Sequence, residues 1–229
     1  MRSSIHVFAC ALAVMSMAGG ARAQESSGSV YVAAGLNLSS QRGPSGDADF
    51  GTYVVAPGGT TPGWTIGAGI FATPLVSVEG EVARTGMMTA REPSRYDITY
   101  TEDRRDLFVG ANVRFHVASG QHFDLEPVVG FAAIDHQGWT AAERCILCNT
   151  PQQRIVTDPR TAIERLPWSA SLTAGLDLRA GGRHLAFIPS LRFRTRLNND
   201  DHVDVISNYP GSGLPKLTVS FGLSGRIGF

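Results

Sequence analysis

The chain has 229 residues, 43% of them hydrophobic, and its 20 basic and 20 acidic residues give a formal net charge of +0. This balance provides no clustered basic surface, so we expect no nucleic-acid partner. Downstream of the N-terminal segment, no run of about 18 or more apolar residues occurs, which excludes a helical membrane protein.

The N-terminal segment has the three parts of a secretory signal peptide. Arg2 supplies the positive charge, Val7 to Ala18 is an apolar run, and Ala21-Arg22-Ala23 is a small-x-small cleavage site before Gln24. The apolar run is too short for a membrane-anchoring helix, which needs roughly 20 residues. We therefore predict a signal peptide at residues 1–23 and one mature domain at residues 24–229.

Eight segments of alternating polar and apolar residues follow. Each has about the 9 to 11 residues that a tilted strand needs to cross a bilayer, and an even count is typical of bacterial barrels. The segments lie near Ser29–Leu38, Gly63–Ala72, Leu75–Thr85, Arg105–Val117, Phe123–Ile134, Pro167–Arg179, His184–Leu197 and Lys216–Phe229.

The connections between these segments alternate strictly in length. Short turns are expected at residues 73–74, 118–122 and 180–183, and long polar loops at residues 39–62, 86–104, 135–166 and 198–215. In outer-membrane barrels the short turns face the periplasm and the long loops face outward. The rhythm thus predicts an up-and-down meander with both termini in the periplasm.

The two faces of the strands differ in a way that indicates which one meets lipid. One face is aliphatic without a charge in the middle of any strand, whereas the other combines charged side chains with glycines. A soluble lipocalin-type barrel would have the reverse arrangement. Glycines that share a face with long charged side chains suit a narrow, filled lumen, because they leave room for those side chains.

Aromatic residues favour the same orientation. Trp64 and Trp168 lie at the outer ends of their strands, and Phe115, Phe123 and Phe229 lie at the inner ends. Two such levels are typical of the girdles at the two membrane interfaces. The predicted fold class is all-β, an eight-stranded antiparallel up-and-down transmembrane β-barrel.

The last strand carries the strongest resemblance to a known family. Thr218 to Phe229 alternates without a break and ends on an aromatic residue. The chain resembles the small outer-membrane barrels of Gram-negative bacteria, the OmpA-like, OmpX-like and OmpW-like outer membrane protein beta-barrel domain. We expect no OmpA-type periplasmic domain, and no motif singles out OmpW. The resemblance implies a cell outer membrane location after export through the periplasm, extracellular long loops, and recognition of Phe229 by the barrel-assembly machinery.

Charged residues on the glycine-bearing face form the first candidate site. We predict that they form a lumen charge network of paired side chains, because buried charges must be paired in a narrow barrel. The predicted members are Glu79, Glu81, Arg114, Asp124, Glu126, Asp177, Arg179, Arg192, Arg194, Arg196 and Arg226. The alternative is a passive channel for small or hydrophobic solutes, in which Arg192, Arg194 and Arg196 attract anions instead of pairing with lumen carboxylates or with Asp200, Asp201 and Asp204.

Cys145 and Cys148 lie in the longest predicted loop. In an oxidising compartment we expect them to form a local disulfide. A zinc site needs about four ligands and only His136 is near in sequence, so we expect neither a metal nor a cofactor.

Catalysis is not expected from the sequence. A lipid-modifying barrel enzyme would need Ser, His and a carboxylate that converge near the outer leaflet. His116 and Ser119 fall at the periplasmic end, and His122 and His184 fall in turns. We therefore expect no enzyme.

The outer loops offer binding as a further function. Residues 86–104 combine Arg91, Arg95 and Arg104 with Tyr96 and Tyr100, and Arg105 follows directly; this composition suits lipopolysaccharide phosphates or a partner protein. Arg84 is the best single candidate for a phosphate of lipopolysaccharide, because it would otherwise leave a cation facing the membrane. We expect a monomeric barrel with a structural or surface-interaction role, whose partners include outer-membrane lipid and lipopolysaccharide.

Overall fold

The computed structural model describes residues 27–41, 45–47, 53–55, 58–93, 98–118, 123–146, 148–162, 168–181, 184–197 and 215–229. The predicted signal peptide lies outside these residues. Within them the strands are β1 (Val30–Gln41), β2 (Ser45–Asp47), β3 (Tyr53–Val55), β4 (Gly59–Thr73), β5 (Val76–Arg84), β6 (Met88–Pro93), β7 (Ile98–Phe115), β8 (Val117–Ala118), β9 (Phe123–Ile146), β10 (Arg154–Thr157), β11 (Thr161–Ala162), β12 (Ser169–Gly181), β13 (Leu185–Arg196) and β14 (Leu217–Gly228). No helix in this part of the chain is both long and apolar enough to cross a membrane.

Eight of these strands close into a barrel. Each pairs antiparallel with its neighbour in the order β1, β4, β5, β7, β9, β12, β13 and β14, and β14 returns to pair with β1. Closure removes the sheet edges, so the backbone donors and acceptors of the wall bond to neighbouring strands, as hydrocarbon surroundings require.

The exterior of the barrel is apolar. Leu36 is 71% exposed, Phe131 60% and Phe221 57%, although all three are large hydrophobic residues. Other exposed apolar side chains of the wall are Val32, Leu38, Ile66, Ile70, Val78, Val109, Leu172, Leu176, Phe187, Phe193, Leu223 and Ile227. A continuous belt of this kind is far larger than the apolar patches that soluble monomers expose. The predicted fold class, including its transmembrane character, is confirmed.

One boundary of this belt, which we call the outer one, is marked by residues that lie side by side on four strands. Trp64 on β4 is paired with Arg84 on β5, which is paired with Leu107 on β7, which is paired with Asp135 on β9. Trp168 directly precedes the pair between Ser169 and Ile134, so it joins the same level. At the opposite end, Phe123 is 46% and Phe229 69% exposed. The two predicted aromatic levels are therefore present.

The structure corrects the predicted bounds of two strands. β7 begins seven residues before the predicted Arg105, at Ile98, and β9 continues twelve residues past the predicted Ile134, to Ile146. The two strands remain paired over this extension, from Ile98 opposite Arg144 to Leu107 opposite Asp135. β6 pairs with β7, while β10 and β11 pair with β9, so parts of the two long predicted loops form a sheet beyond the barrel. The prediction failed there because polar residues on both faces leave no apolar period to detect.

Candidate functional site

An ionic layer fills the middle of the lumen around Asp177. This carboxylate, on β12, is fully buried and accepts hydrogen bonds from Arg192 on the adjacent strand β13, with Arg192 Nη2 2.8 Å from Oδ2. It also accepts a hydrogen bond from Arg114, which projects from β7. β7 and β12 both pair with β9, and β13 pairs with β12, so the three side chains connect three nearby strands inside the lumen.

Further ion pairs extend this layer to the other strands. Arg114 Nη2 lies 2.5 Å from Glu79 Oε1 on β5. Glu126 on β9 accepts two parallel hydrogen bonds from Arg226 on β14, at 3.0 and 2.7 Å. A pair of parallel hydrogen bonds between arginine and a carboxylate binds more strongly and more specifically than a single hydrogen bond. Arg194 bonds Glu81 separately.

Eight of the eleven predicted network residues thus meet in the lumen. Of the other three, Arg179 and Arg196 are buried and Asp124 is half-buried. Each of these three also interacts with a neighbour. Asp200, Asp201 and Asp204, the alternative partners of the arginine ladder, lie outside the described residues.

Glycines make room for these side chains. A Cβ atom at Gly175 would lie 2.7 Å from Cδ of Arg192, and one at Gly69 would lie 2.4 Å from the ring of Tyr31. These separations are shorter than van der Waals contact, so a larger residue would displace the side chains that occupy the bore.

An apolar layer lies on the outer side of the ions. It consists of Ala83, Phe108, Ala132 and Ile134, all at most 5% exposed. The guanidinium carbon of Arg194 is 4.8 Å from the centroid of the Phe108 ring, which joins the two layers. No sequence pattern singles out this layer, although Phe108 has the same parity as the inward residues Asn112 and Arg114.

Aromatic side chains fill the inner end. Tyr31 and Phe71 are each 1% exposed and pack edge to face with ring centroids 5.5 Å apart. Arg226 stacks over Tyr31 at 4.4 Å, and His116 lies 4.6 Å from Phe71 while its Nδ1 is 3.0 Å from Glu126. Between the layers a cavity of about 30 Å³ is lined by Asn37, Glu79, Glu81, Asp177, Arg192 and Arg194.

A buried polar layer near the outer mouth contains an aspartate, a histidine and a serine, which are linked in that order by hydrogen bonds. His136 Nδ1 is 2.7 Å from Asp106 Oδ1, and His136 Nε2 is 3.1 Å from Ser169 Oγ. Gln41 donates to Asp106 at 2.6 Å and to Thr218 at 3.0 Å. The expectation that no such residues converge is wrong, because β7, β9 and β12 bring together positions that are far apart in sequence.

The geometry of this trio is that of a nucleophile, a base and an orienting carboxylate. A neutral His136 that donates from Nδ1 has Nε2 available to accept from the Ser169 hydroxyl. However, Ser169 is 3% exposed and lies above the apolar layer, away from the residues that line the cavity. The trio links β7, β9 and β12 through hydrogen bonds, and we refer to it as the His136 brace.

The remaining candidate residues lie at the periphery. Cys145 and Cys148 are joined by a disulfide, with Cα atoms 5.6 Å apart. Within the described ranges, no three His, Cys, Asp or Glu residues are placed to hold a metal. The N–H of Phe229 donates to Val30 at 2.9 Å, and His184 lies at the neighbouring turn.

The second predicted loop is corrected in one respect. Arg104, which its composition suggested for ligand binding, is 1% exposed and pairs with Glu102 at 2.7 Å. Arg91 is exposed, as expected of a loop residue. Arg95 and Tyr96 lie outside the described residues, as do Ser119 and His122.

Several solved outer-membrane proteins are similar to this chain. Ail, the attachment invasion locus protein of Yersinia pestis, is 12% identical with a TM-score of 0.44, and the match covers 89% of this chain and 99% of Ail. OprG from Pseudomonas aeruginosa is 10% identical with a TM-score of 0.49 over 89% of this chain and 98% of OprG. AlkL, solved in DMPC lipid bilayers, is 12% identical with a TM-score of 0.45 over 92% of this chain and 94% of AlkL.

No protein-family model matches the chain, and no curated protein matches it in sequence. The predicted resemblance to small outer-membrane barrels is confirmed for the fold, which the strand pairings establish by themselves. Identities this low give no information on a shared activity.

Proposed function

We propose that the chain is an integral outer-membrane barrel with a sealed lumen, whose role is structural or is carried out by its outer surface. The observation that carries this proposal is the network of largely buried ion pairs in the lumen. Asp177 contacts both Arg114 and Arg192, and Arg194 on β13 bonds Glu81 on β5, four strands away on the opposite side of the barrel, so this pair crosses the bore. An eight-stranded barrel is just wide enough for side chains to fill it.

The order of the layers supports a seal. A solute moving inward would have to displace the His136 brace, the Phe108 layer, the paired ions and the Tyr31 layer in turn. Separating any buried ion pair leaves an uncompensated charge, which costs about 3 to 5 kcal/mol. The cavity of about 30 Å³ has room for roughly one or two water molecules and no larger solute.

The asymmetry of the barrel ends supports its orientation. The β7 and β9 extension projects beyond the level of Trp64 and Arg84, whereas β4 and β5 are joined at the other end by a turn at residues 74–75. In outer-membrane barrels the longer end faces outward. The projecting sheet is therefore the extracellular part, and short turns face the periplasm.

Solute flux tests the seal. Protein refolded into liposomes should give no faster swelling in small sugars than empty liposomes, while a porin reconstituted at the same molar ratio serves as the positive control. Folding is verified by the change in gel mobility between heated and unheated samples. Swelling that increases with the amount of protein would reject the seal and favour a passive channel.

A further inference from the structure

Three arginines gather on the outward face of the barrel just above the lipid boundary. Arg84 lies at the end of β5, Arg105 lies on β7, and Arg160 follows β10. Arg105 and Arg160 lie over Trp139 on β9, and Arg84 is paired with Leu107, two positions from Arg105 on the same face of β7. We call these four residues the rim patch. Arg84, Arg105 and Trp139 have the outward strand parity, so the patch is separate from the arginines of the lumen.

The rim patch is held in place by specific contacts. The guanidinium carbons of Arg105 and Arg160 lie 4.7 and 5.0 Å from the centroid of the Trp139 ring. Arg105 Nε donates to Gln137 Oε1 at 2.8 Å. Arg160 pairs with Asp103 at 2.6 Å. Stacking and hydrogen bonding thus restrict both guanidinium groups before any ligand binds, which reduces the entropy lost on binding.

The patch has more positive than negative charge. Asp103 and Asp135 are the carboxylates nearest the patch on the same face, and Glu143 lies four positions beyond Trp139 on β9. Asp103 pairs with Arg160, and Asp135 accepts a hydrogen bond from Gln137 at 2.8 Å. Within the residues that the structure describes, Arg84 has no carboxylate within ion-pair distance. Partial burial, together with the neighbouring charges of Arg84 and Arg160, lowers the pKa of Arg105. An anion that contacts Arg84 and Arg105 would relieve this repulsion.

The height of the patch indicates where that anion resides. Arg84 is paired with Trp64 and Leu107, so it lies at the boundary of the apolar belt. Arg105 is two residues further out on β7, roughly 7 Å along the strand. Lipid phosphates occupy the layer directly above the hydrocarbon, where tryptophan and arginine side chains are typically found.

We propose that the rim patch binds the phosphate of a phosphorylated glycolipid in the outer leaflet, with Arg84 contacting it from below and Arg105 from the side. Arginine is suited to this task because its planar guanidinium donates two parallel hydrogen bonds to a phosphate. Trp139 fixes the two upper arginines and contacts the sugar of the headgroup. This proposal rests on the membrane orientation given under the proposed function.

Lipid titration tests the proposal. The mature protein, folded in a nonionic detergent, is titrated into fluorescently labelled bisphosphorylated lipid A, and anisotropy reports binding. The double variant Arg84→Gln with Arg105→Gln should bind at least about tenfold more weakly, equivalent to about 1.4 kcal/mol. Arg154→Gln, an exposed arginine on β10, is the matched control and should bind like the wild type.

Two further arms identify the ligand. In the first, the wild type should bind dephosphorylated lipid A only as weakly as the double variant binds the phosphorylated lipid. In the second, millimolar inorganic phosphate should not displace the labelled lipid from the wild type. Equal binding by the wild type and the double variant would overturn the site, and displacement by inorganic phosphate would overturn its assignment to lipid. Neither result affects the sealed lumen, because heat-dependent gel mobility and liposome swelling report on the barrel separately.

Discussion

Arg114 and Asp177 are 63 positions apart in the chain, yet their side chains meet in the centre of the barrel, one from β7 and the other from β12. Both strands pair with β9, so the contact joins two strands that lie on either side of it. Because these charged side chains are buried in the lumen, their pairing contributes both to the stability of the fold and to the filling of the bore.

Removal of the Asp177 charge should destabilise the barrel strongly. Asp177→Asn leaves Arg114 and Arg192 short of a buried counter-charge, and we expect a loss of about 3 to 5 kcal/mol in the free energy of unfolding. Urea titration in phospholipid vesicles, followed by tryptophan fluorescence, measures it. The control is Asp158→Asn, which breaks an exposed pair with Arg144 at 3.2 Å and should cost less than about 1 kcal/mol. Similar losses in the two variants would contradict the buried network.

A charge on the outer wall should be costly only within the lipid belt. Leu223, on β14, is an exposed residue paired with Leu36 in the middle of the wall. Leu223→Arg should cost about 2 to 4 kcal/mol of stability in a bilayer. Ile155→Arg, on the exposed strand β10, should cost almost nothing. A neutral Leu223→Arg in the same urea assay would mean that this face does not contact hydrocarbon.

The Ser169 hydroxyl should be unreactive. The folded protein, incubated with a fluorophosphonate probe in detergent, should show no labelled band above that of Ser169→Ala. Because Ser169 is 3% exposed, the probe has no access to the hydroxyl even though His136 is positioned as a base. Labelling that disappears in both Ser169→Ala and His136→Ala would instead indicate a serine hydrolase.

Loss of the disulfide should leave the barrel intact. Cys145 and Cys148 close a ring of only four residues at the far end of β9, beyond the membrane level. Loop-closure entropy for so short a ring amounts to about 2 kcal/mol at most. The double serine variant should keep its heat-dependent gel mobility and lose no more than about 2 kcal/mol of stability in the urea assay. A larger loss, or a failure to fold, would show that the outer sheet contributes to closure of the barrel.

The sequence allowed us to predict which face of each strand meets lipid, because lipid-facing side chains are apolar whereas many lumen-facing side chains are charged. The rule holds for Leu36 and Phe221 on the lipid-facing side and for Glu79 and Arg192 on the lumen side. The inward aromatic residues Tyr31 and Phe108 could not be found in this way. They share the parity of the charged residues, and only the closed barrel shows that they fill layers between them.

The contacts that neighbouring strands make across the sheet also could not be predicted from the sequence. Asp106, His136 and Ser169 have no recognisable spacing, since the register of β7, β9 and β12 determines their meeting. Arg105 and Trp139 meet for the same reason. They lie on strand extensions that have polar residues on both faces and therefore show no alternation of polar and apolar residues. Arg84 could be singled out by its position, because a cation at a lipid-facing position is unusual in any context. Arg105 was indicated only by the composition of the adjoining loop.

Single-channel recording in planar bilayers tests the sealed lumen most directly. Folded wild-type protein, inserted at increasing amounts in concentrated potassium chloride, should give no unitary current steps above those of detergent alone, since the layers from His136 to Tyr31 occupy the bore. Reproducible steps of constant size, with a frequency that rises with the amount of inserted protein, would contradict the account.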